Sequence, residues 1–125
     1  MSTTPLFFLL SQTKLSQGEL GEQLVAHAPP LGGTTETLKS VQITSWLRDP
    51  KRMPRWARLA AFRLAVANGY QIRSFEEQRD AVRSARILAP DLTVDEFATV
   101  YAANVSECRE PDLRAAWYQD CAEHG

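Results

Sequence analysis

Between Ser40 and Pro54 the chain reads SVQITSWLRDPKRMP, and its residue types sort into two kinds of chemistry. Ser40, Gln42 and Ser45, with Lys39 just before them, carry hydroxyl, amide and ammonium groups at helical spacing. Leu38, Ile43, Trp46 and Leu47 are left for the opposite side of the same helix. An outward face of this kind bonds to base edges: an amide pairs bidentately with adenine, an ammonium donates to guanine, and a hydroxyl serves either a base or a phosphate. Arg48, Lys51, Arg52 and Arg55 follow at once. Such a cluster of cations contacts phosphate oxygens, which fixes register and supplies affinity without reading sequence. Lys39, Ser40, Gln42 and Ser45 are therefore candidate base-reading residues, and Arg48, Lys51, Arg52 and Arg55 candidate phosphate-binding ones.

The elements that must position these groups are helical. No repeat, low-complexity tract or long polar/apolar alternation is present, so the expected class is all-α with about seven helices. Thr3 or Thr4 can cap a first helix carrying Leu6, Phe7, Leu9 and Leu10. Ser16, with Glu19 three residues on, forms a capping box for a second, QGELGEQLVAHA, which PPLGG stops. A third is capped by Thr34 or Thr35, contains Leu38, Val41, Ile43, Trp46 and Leu47, and ends at RDP. Pro54 suits the first turn of a fourth, which Asn68 and Gly69 terminate. Two further capping boxes, SFEE from Ser74 and TVDE from Thr93, open amphipathic runs separated by Pro90. A last helix begins near Pro111 and carries Leu113, Ala116, Trp117 and Cys121.

Charge is divided along the chain. Residues 1–73 hold nine cations against four acids, a balance of +5, while residues 74–125 hold five arginines against eleven acids, a balance of −6. A basic front half favours a polyanion and an acidic back half is repelled by one. With 125 residues and 44% hydrophobic content the chain makes one compact domain, or a small domain with an appended helical piece. The run PLFFLL is too short for a membrane span and lacks the features of a secretory leader, and Cys108 and Cys121 suit thiols in a reducing compartment. The expected setting is cytoplasmic, with no membrane partner.

Read together, LSQGELGEQL (Leu15 to Leu24) and ITSWLRDPKRMPRWARLAAFRLA (Ile43 to Ala65) resemble the Cro/C1-type (XRE-like) helix-turn-helix family. The matching residues are Leu15, Ser16, Gln17, Leu20 and Leu24, then Ile43, Thr44, Trp46, Lys51, Arg52 and Pro54, then Leu59, Ala60 and Leu64, within roughly residues 4 to 70. The resemblance implies a lambda-repressor-like helix-turn-helix bundle over residues 1–73, with an additional C-terminal helical region at 74–125. It also makes Gln17 a residue that bonds the DNA backbone. The pattern departs from the family at VAHAPPLGGTTETLK, about a dozen residues longer than the usual tight turn between the second and third helices.

One short reading helix contacts few base pairs, so two copies related by a two-fold axis are needed for useful specificity. The expectation is a transcriptional regulator, a repressor of its own promoter, that binds an inverted-repeat operator in double-stranded DNA as a homodimer. The resemblance implies a regulator of the kind often encoded by phages or plasmids. Residues 74–125, with Leu113, Trp117 and Tyr118, form the expected dimerisation region. The alternative is a helical protein-binding module, an antitoxin or inhibitor, whose acidic C-terminal half captures a partner protein.

Other residues have plainer readings. Trp46 and Trp56 are core or hinge packing. His27 at a helix end and His124 in the tail are neither ligands nor general bases, and Cys108, Cys121 and His124 lack the paired spacing of a zinc site. No phosphate loop, nucleophile motif or carboxylate pair is present, so neither an enzyme, a metal nor a cofactor is expected.

Overall fold

A computed structural model of the chain describes residues 3–26 and 40–125, with Ser40 by its backbone alone. Among these residues there are seven α-helices and no strand. They fall into two compact units, residues 4–68 and residues 69–125 together with Thr3.

In the first unit, α1 (Pro5–Gln12) starts at Thr4, whose hydroxyl accepts from the Phe7 N–H at 3.2 Å. It buries Leu6 and Leu9, three residues apart on one face, and leaves Phe7 outside. It stops at Thr13, which turns its N–H and its hydroxyl back onto the Leu9 carbonyl. The second helix, α2 (Gln17–Ala26), is opened by the expected capping box. The Ser16 hydroxyl accepts from the Glu19 N–H at 3.1 Å, and the Glu19 carboxylate accepts from the Ser16 N–H at 3.2 Å.

The third helix is described from Ser40, as α3 (Ser40–Arg48), so its expected cap at Thr34 or Thr35 and the residues up to Lys39 lie outside the described residues. A single 3₁₀ turn, Pro50–Arg52, follows it. Asp49 caps the turn by accepting from the Lys51 N–H at 3.3 Å. The last helix of the unit is α4 (Arg55–Ala67), with Pro54 as its cap residue, one place earlier than expected. Ala57, Leu59, Ala60, Ala61, Phe62 and Ala65 make its buried side. The run of alanines lets α1 and α2 approach its backbone closely. It ends where Asn68 donates its side-chain amide to the Leu64 carbonyl at 2.7 Å and Gly69 takes a positive φ of 87°.

The second unit is α5 (Phe75–Leu88), α6 (Val94–Val100) and α7 (Glu110–His124). Both expected capping boxes are present, at Ser74 with Glu77 and at Thr93 with Glu96. The helices α5 and α7 pack together, with Ala81, Val82 and Ala85 buried on one and Leu113, Ala116 and Trp117 on the other. Phe97 of α6 fills the space beside Trp117, with ring centroids 5.6 Å apart.

Glu77 does more than close a cap. Its carboxylate accepts from the Ser74 N–H at 2.8 Å, the Arg73 N–H at 2.9 Å and the Thr3 N–H at 2.6 Å. The Tyr70 hydroxyl donates to the Thr3 carbonyl. Burial pushes the Tyr70 phenol well above its ordinary range, so that it stays a donor. Burial also works against the charge on Glu77, but the donations from Ser74, Thr3 and Arg73 outweigh it and hold the carboxyl below the usual carboxylate range.

A group depressed in the folded state contributes stability that is complete above its unfolded value and is lost as pH falls through its folded value. We expect Glu77→Gln to cost about 2 kcal/mol at pH 7. The variant should also lose part of the acid sensitivity expected of the native chain as pH falls below the ordinary glutamate value of about 4.3. Urea unfolding at several pH values checks this, and parallel pH curves for the two proteins would remove Glu77 from the account.

Candidate nucleic-acid interface

The outward face of α3 follows from which residues its inward face takes. Ile43 is fully buried and Trp46 is 7% exposed, with Leu47 half-buried on the same side. Successive residues turn by about 100°, which sets Val41, Ser45 and Arg48 (i, i+4, i+7) on a ridge directly opposite. Val41 is 68% exposed, Arg48 is exposed and Ser45 is half-buried. Gln42, also exposed, stands to one side of that ridge, and Thr44 stands to the other.

Of the expected base-reading residues, then, Gln42 and Ser45 lie on or beside the outward face. Ser40 is the first described residue of the helix, by its backbone alone, and Lys39 lies outside the described residues. Val41 joins them there, because the spacing that turns Ile43 and Trp46 inward turns it outward, and its exposure shows that it is left uncovered.

Two interactions orient the helix. The Thr44 hydroxyl donates to Gln17 Oε1 at 3.1 Å, joining the middle of α3 to the first residue of α2. With that oxygen engaged, the Gln17 side chain has its NH₂ left to offer, a donor, which is the polarity a phosphate requires. On the other side, the Trp46 and Trp56 rings meet edge to face, 6.3 Å apart at 83°, and tie α3 to α4 across the 3₁₀ turn. Both tryptophans therefore serve packing. Met53, buried beneath the turn, completes the joint.

The cations separate the two units sharply. Arg48, Lys51, Arg52, Arg55, Arg58 and Arg63 are all exposed. Of these, Arg52 alone has a carboxylate nearby among the described residues, Asp49 at 3.5 Å, and both side chains are largely in water, so the pair contributes little. In the second unit every arginine but Arg109 is answered from within. Arg73 pairs with Glu107 at 3.0 Å and Arg79 with Glu123 at 2.6 Å, Arg83 and Arg86 share Asp120, and Arg114 sits between Asp95 at 2.7 Å and Glu110 at 3.0 Å. Among the described residues, one unit keeps most of its positive charge available while the other pairs most of its own.

The expected dimerisation residues have separate fates. Leu113 and Trp117 are buried inside the second unit, whereas Tyr118 is 58% exposed. Phe75 and Val100 are also exposed in this unit. An open cleft of about 330 Å³ lies between α5 and α7, lined by Phe75, Glu76, Arg79, Asp80, Arg83 and His124. The Cys108 thiol donates to the Ile72 carbonyl, and burial raises its pKa, so it behaves as a packed thiol and not a nucleophile. Among the described residues no helix is long and apolar enough to cross a membrane.

The class these features define is an all-α protein with a cation-bearing helical face. No protein-family model, curated protein or solved structure matches the chain, so the functional reading rests on its own residues.

Proposed function

We propose that the chain is a sequence-specific DNA-binding transcriptional regulator that presents α3 to the major groove, in the manner of a lambda-repressor-like helix-turn-helix bundle. The observation that carries this reading is the set of exposed cations on and after α3, which among the described residues find almost no carboxylate in their own unit, while the second unit pairs all of its arginines but Arg109 internally. Folded proteins commonly offset surface charge with neighbours of opposite sign, and a patch left uncompensated favours a polyanion. Arg48, Lys51, Arg52 and Arg55 hold phosphates, Gln17 adds a bond to the DNA backbone at the start of α2, and the polar groups of α3 face the bases.

The protein acts as a homodimer on an inverted repeat in the cytoplasm and represses its own promoter. Two-fold pairing doubles the number of base pairs read, and Tyr118, Phe75 and Val100 supply exposed apolar surface on the acidic unit for it. The same surface favours a second reading, in which the acidic unit captures a basic protein partner and DNA binding is absent.

Salt separates the two. Retention of duplex fragments from around the protein's own coding sequence should fall on a log–log plot against salt with a slope of about −4 per chain, one cation for each of four phosphates. If the pure protein retains no duplex at low salt, the DNA reading is wrong and the protein-binding reading takes its place.

A further inference from the structure

We propose that Val41 reads the C5-methyl group of a thymine in the major groove, which places a thymine in each half of the recognition sequence opposite the first described turn of α3. This rests on the DNA-binding reading above and extends it to a specificity-determining residue that residue type alone does not mark.

The starting observation is a side chain that the fold does not use. Val41 is 68% exposed on a helix whose Ile43 is fully buried, so it contributes nothing to the core of its unit. Helix formation does not explain it either, because a β-branched residue at an exposed helical position is a poorer choice than alanine. Its place is specific: it heads the ridge completed by Ser45 and Arg48, with Gln42 beside it and Lys51, Arg52 and Arg55 just beyond.

An apolar branched side chain among polar groups on a groove-facing ridge has few partners of its own kind there. The edges of the base pairs in the major groove carry donors, acceptors and a single apolar group, the thymine methyl. Methylated cytosine presents the same methyl, and the test below tells the two sources apart.

The experiment first selects duplexes from a random pool with the full-length protein at low salt. Failure to retain any duplex overturns the DNA-binding reading itself. From the retained consensus, each thymine is replaced in turn by uracil, which removes one methyl and leaves every hydrogen-bonding group in place. We expect one position in each half-site where this change weakens the native protein about fourfold, the worth of one buried methyl.

Val41→Ala, which keeps the helix, should bind the thymine and uracil duplexes alike, while Val41→Ile should keep the discrimination. If duplex is retained but no uracil replacement matters, or if the loss persists in Val41→Ala, the assignment of Val41 is overturned and DNA binding stands. If the sensitivity appears only when a cytosine of the consensus is methylated, thymine is the wrong source.

Discussion

Replacing Arg48, Lys51, Arg52 and Arg55 together by alanine is expected to weaken binding to every duplex by on the order of a thousandfold at 0.1 M salt. Each cation that neutralises a phosphate releases condensed counterions. Removing four such cations should flatten the salt dependence by nearly four on the logarithmic scale. The fold should tolerate the change, since all four side chains are exposed and the one ion pair broken, Arg52 with Asp49, lies in water. Matched and mismatched duplexes should bind more weakly to the same degree, because phosphates carry no sequence information. Titrations across a salt series with both duplexes, together with far-UV circular dichroism of the variant, provide the check. An unchanged slope in a well-folded variant would place the DNA-binding surface elsewhere.

The second large effect concerns stability. Asp120→Ala is expected to cost about 3 kcal/mol, because it breaks a buried pair from one side. The Asp120 side chain is 6% exposed and answers Arg86, which is itself mostly covered, with Arg83 at 3.7 Å. Without the carboxylate, the Arg86 guanidinium is left over the Trp117 ring, 5.8 Å from its centre, with no anion to match it. Arg86→Met in the same chain removes the stranded charge and keeps an apolar arm on Trp117, so the double variant should recover roughly half the loss. Urea unfolding at neutral pH measures both. If the single variant loses less than about 1 kcal/mol, solvent reaches Arg86 and the pair is a surface one.

These two effects belong to different links between residues and function. The phosphate cluster is legible in the sequence as a group of like charges, because Arg48, Lys51, Arg52 and Arg55 are close along the chain and a short turn keeps them so. The Asp120 network is not, because its partners come from α5 and lie 34 residues away in the case of Arg86. Glu77 shows both situations in one residue. Its cap on Ser74 can be read from SFEE, but its bond to the Thr3 N–H spans a separation of 74 residues and leaves no local trace.

The same distinction runs through the candidate interface. Ile43 and Trp46 can be placed inward by their spacing, and Gln42 outward by its polarity. Val41 falls opposite them by the same spacing, but whether it stays exposed depends on whether a neighbouring helix reaches it. Trp117 and Tyr118 make the point again: they are adjacent aromatic residues with similar expectations, yet α5 and α6 cover one and leave the other in solvent.

By itself, then, the sequence determined that this chain is helical, where the helices capped by Thr4, Ser16, Ser74 and Thr93 begin, and that positive charge gathers after α3. Those properties depend on hydrogen bonds and spacings within about one helical turn, and the residues that set them are neighbours in the chain. Tertiary structure alone decided which groups remain available to a ligand: that Tyr118 faces outward while Trp117 is covered, that Gln17 is joined to Thr44, and that the acidic unit pairs five of its six arginines with its own carboxylates. The reason is physical, since a side chain's exposure and its charge partner are fixed by whichever surface packs against it, and that surface comes from elsewhere in the chain.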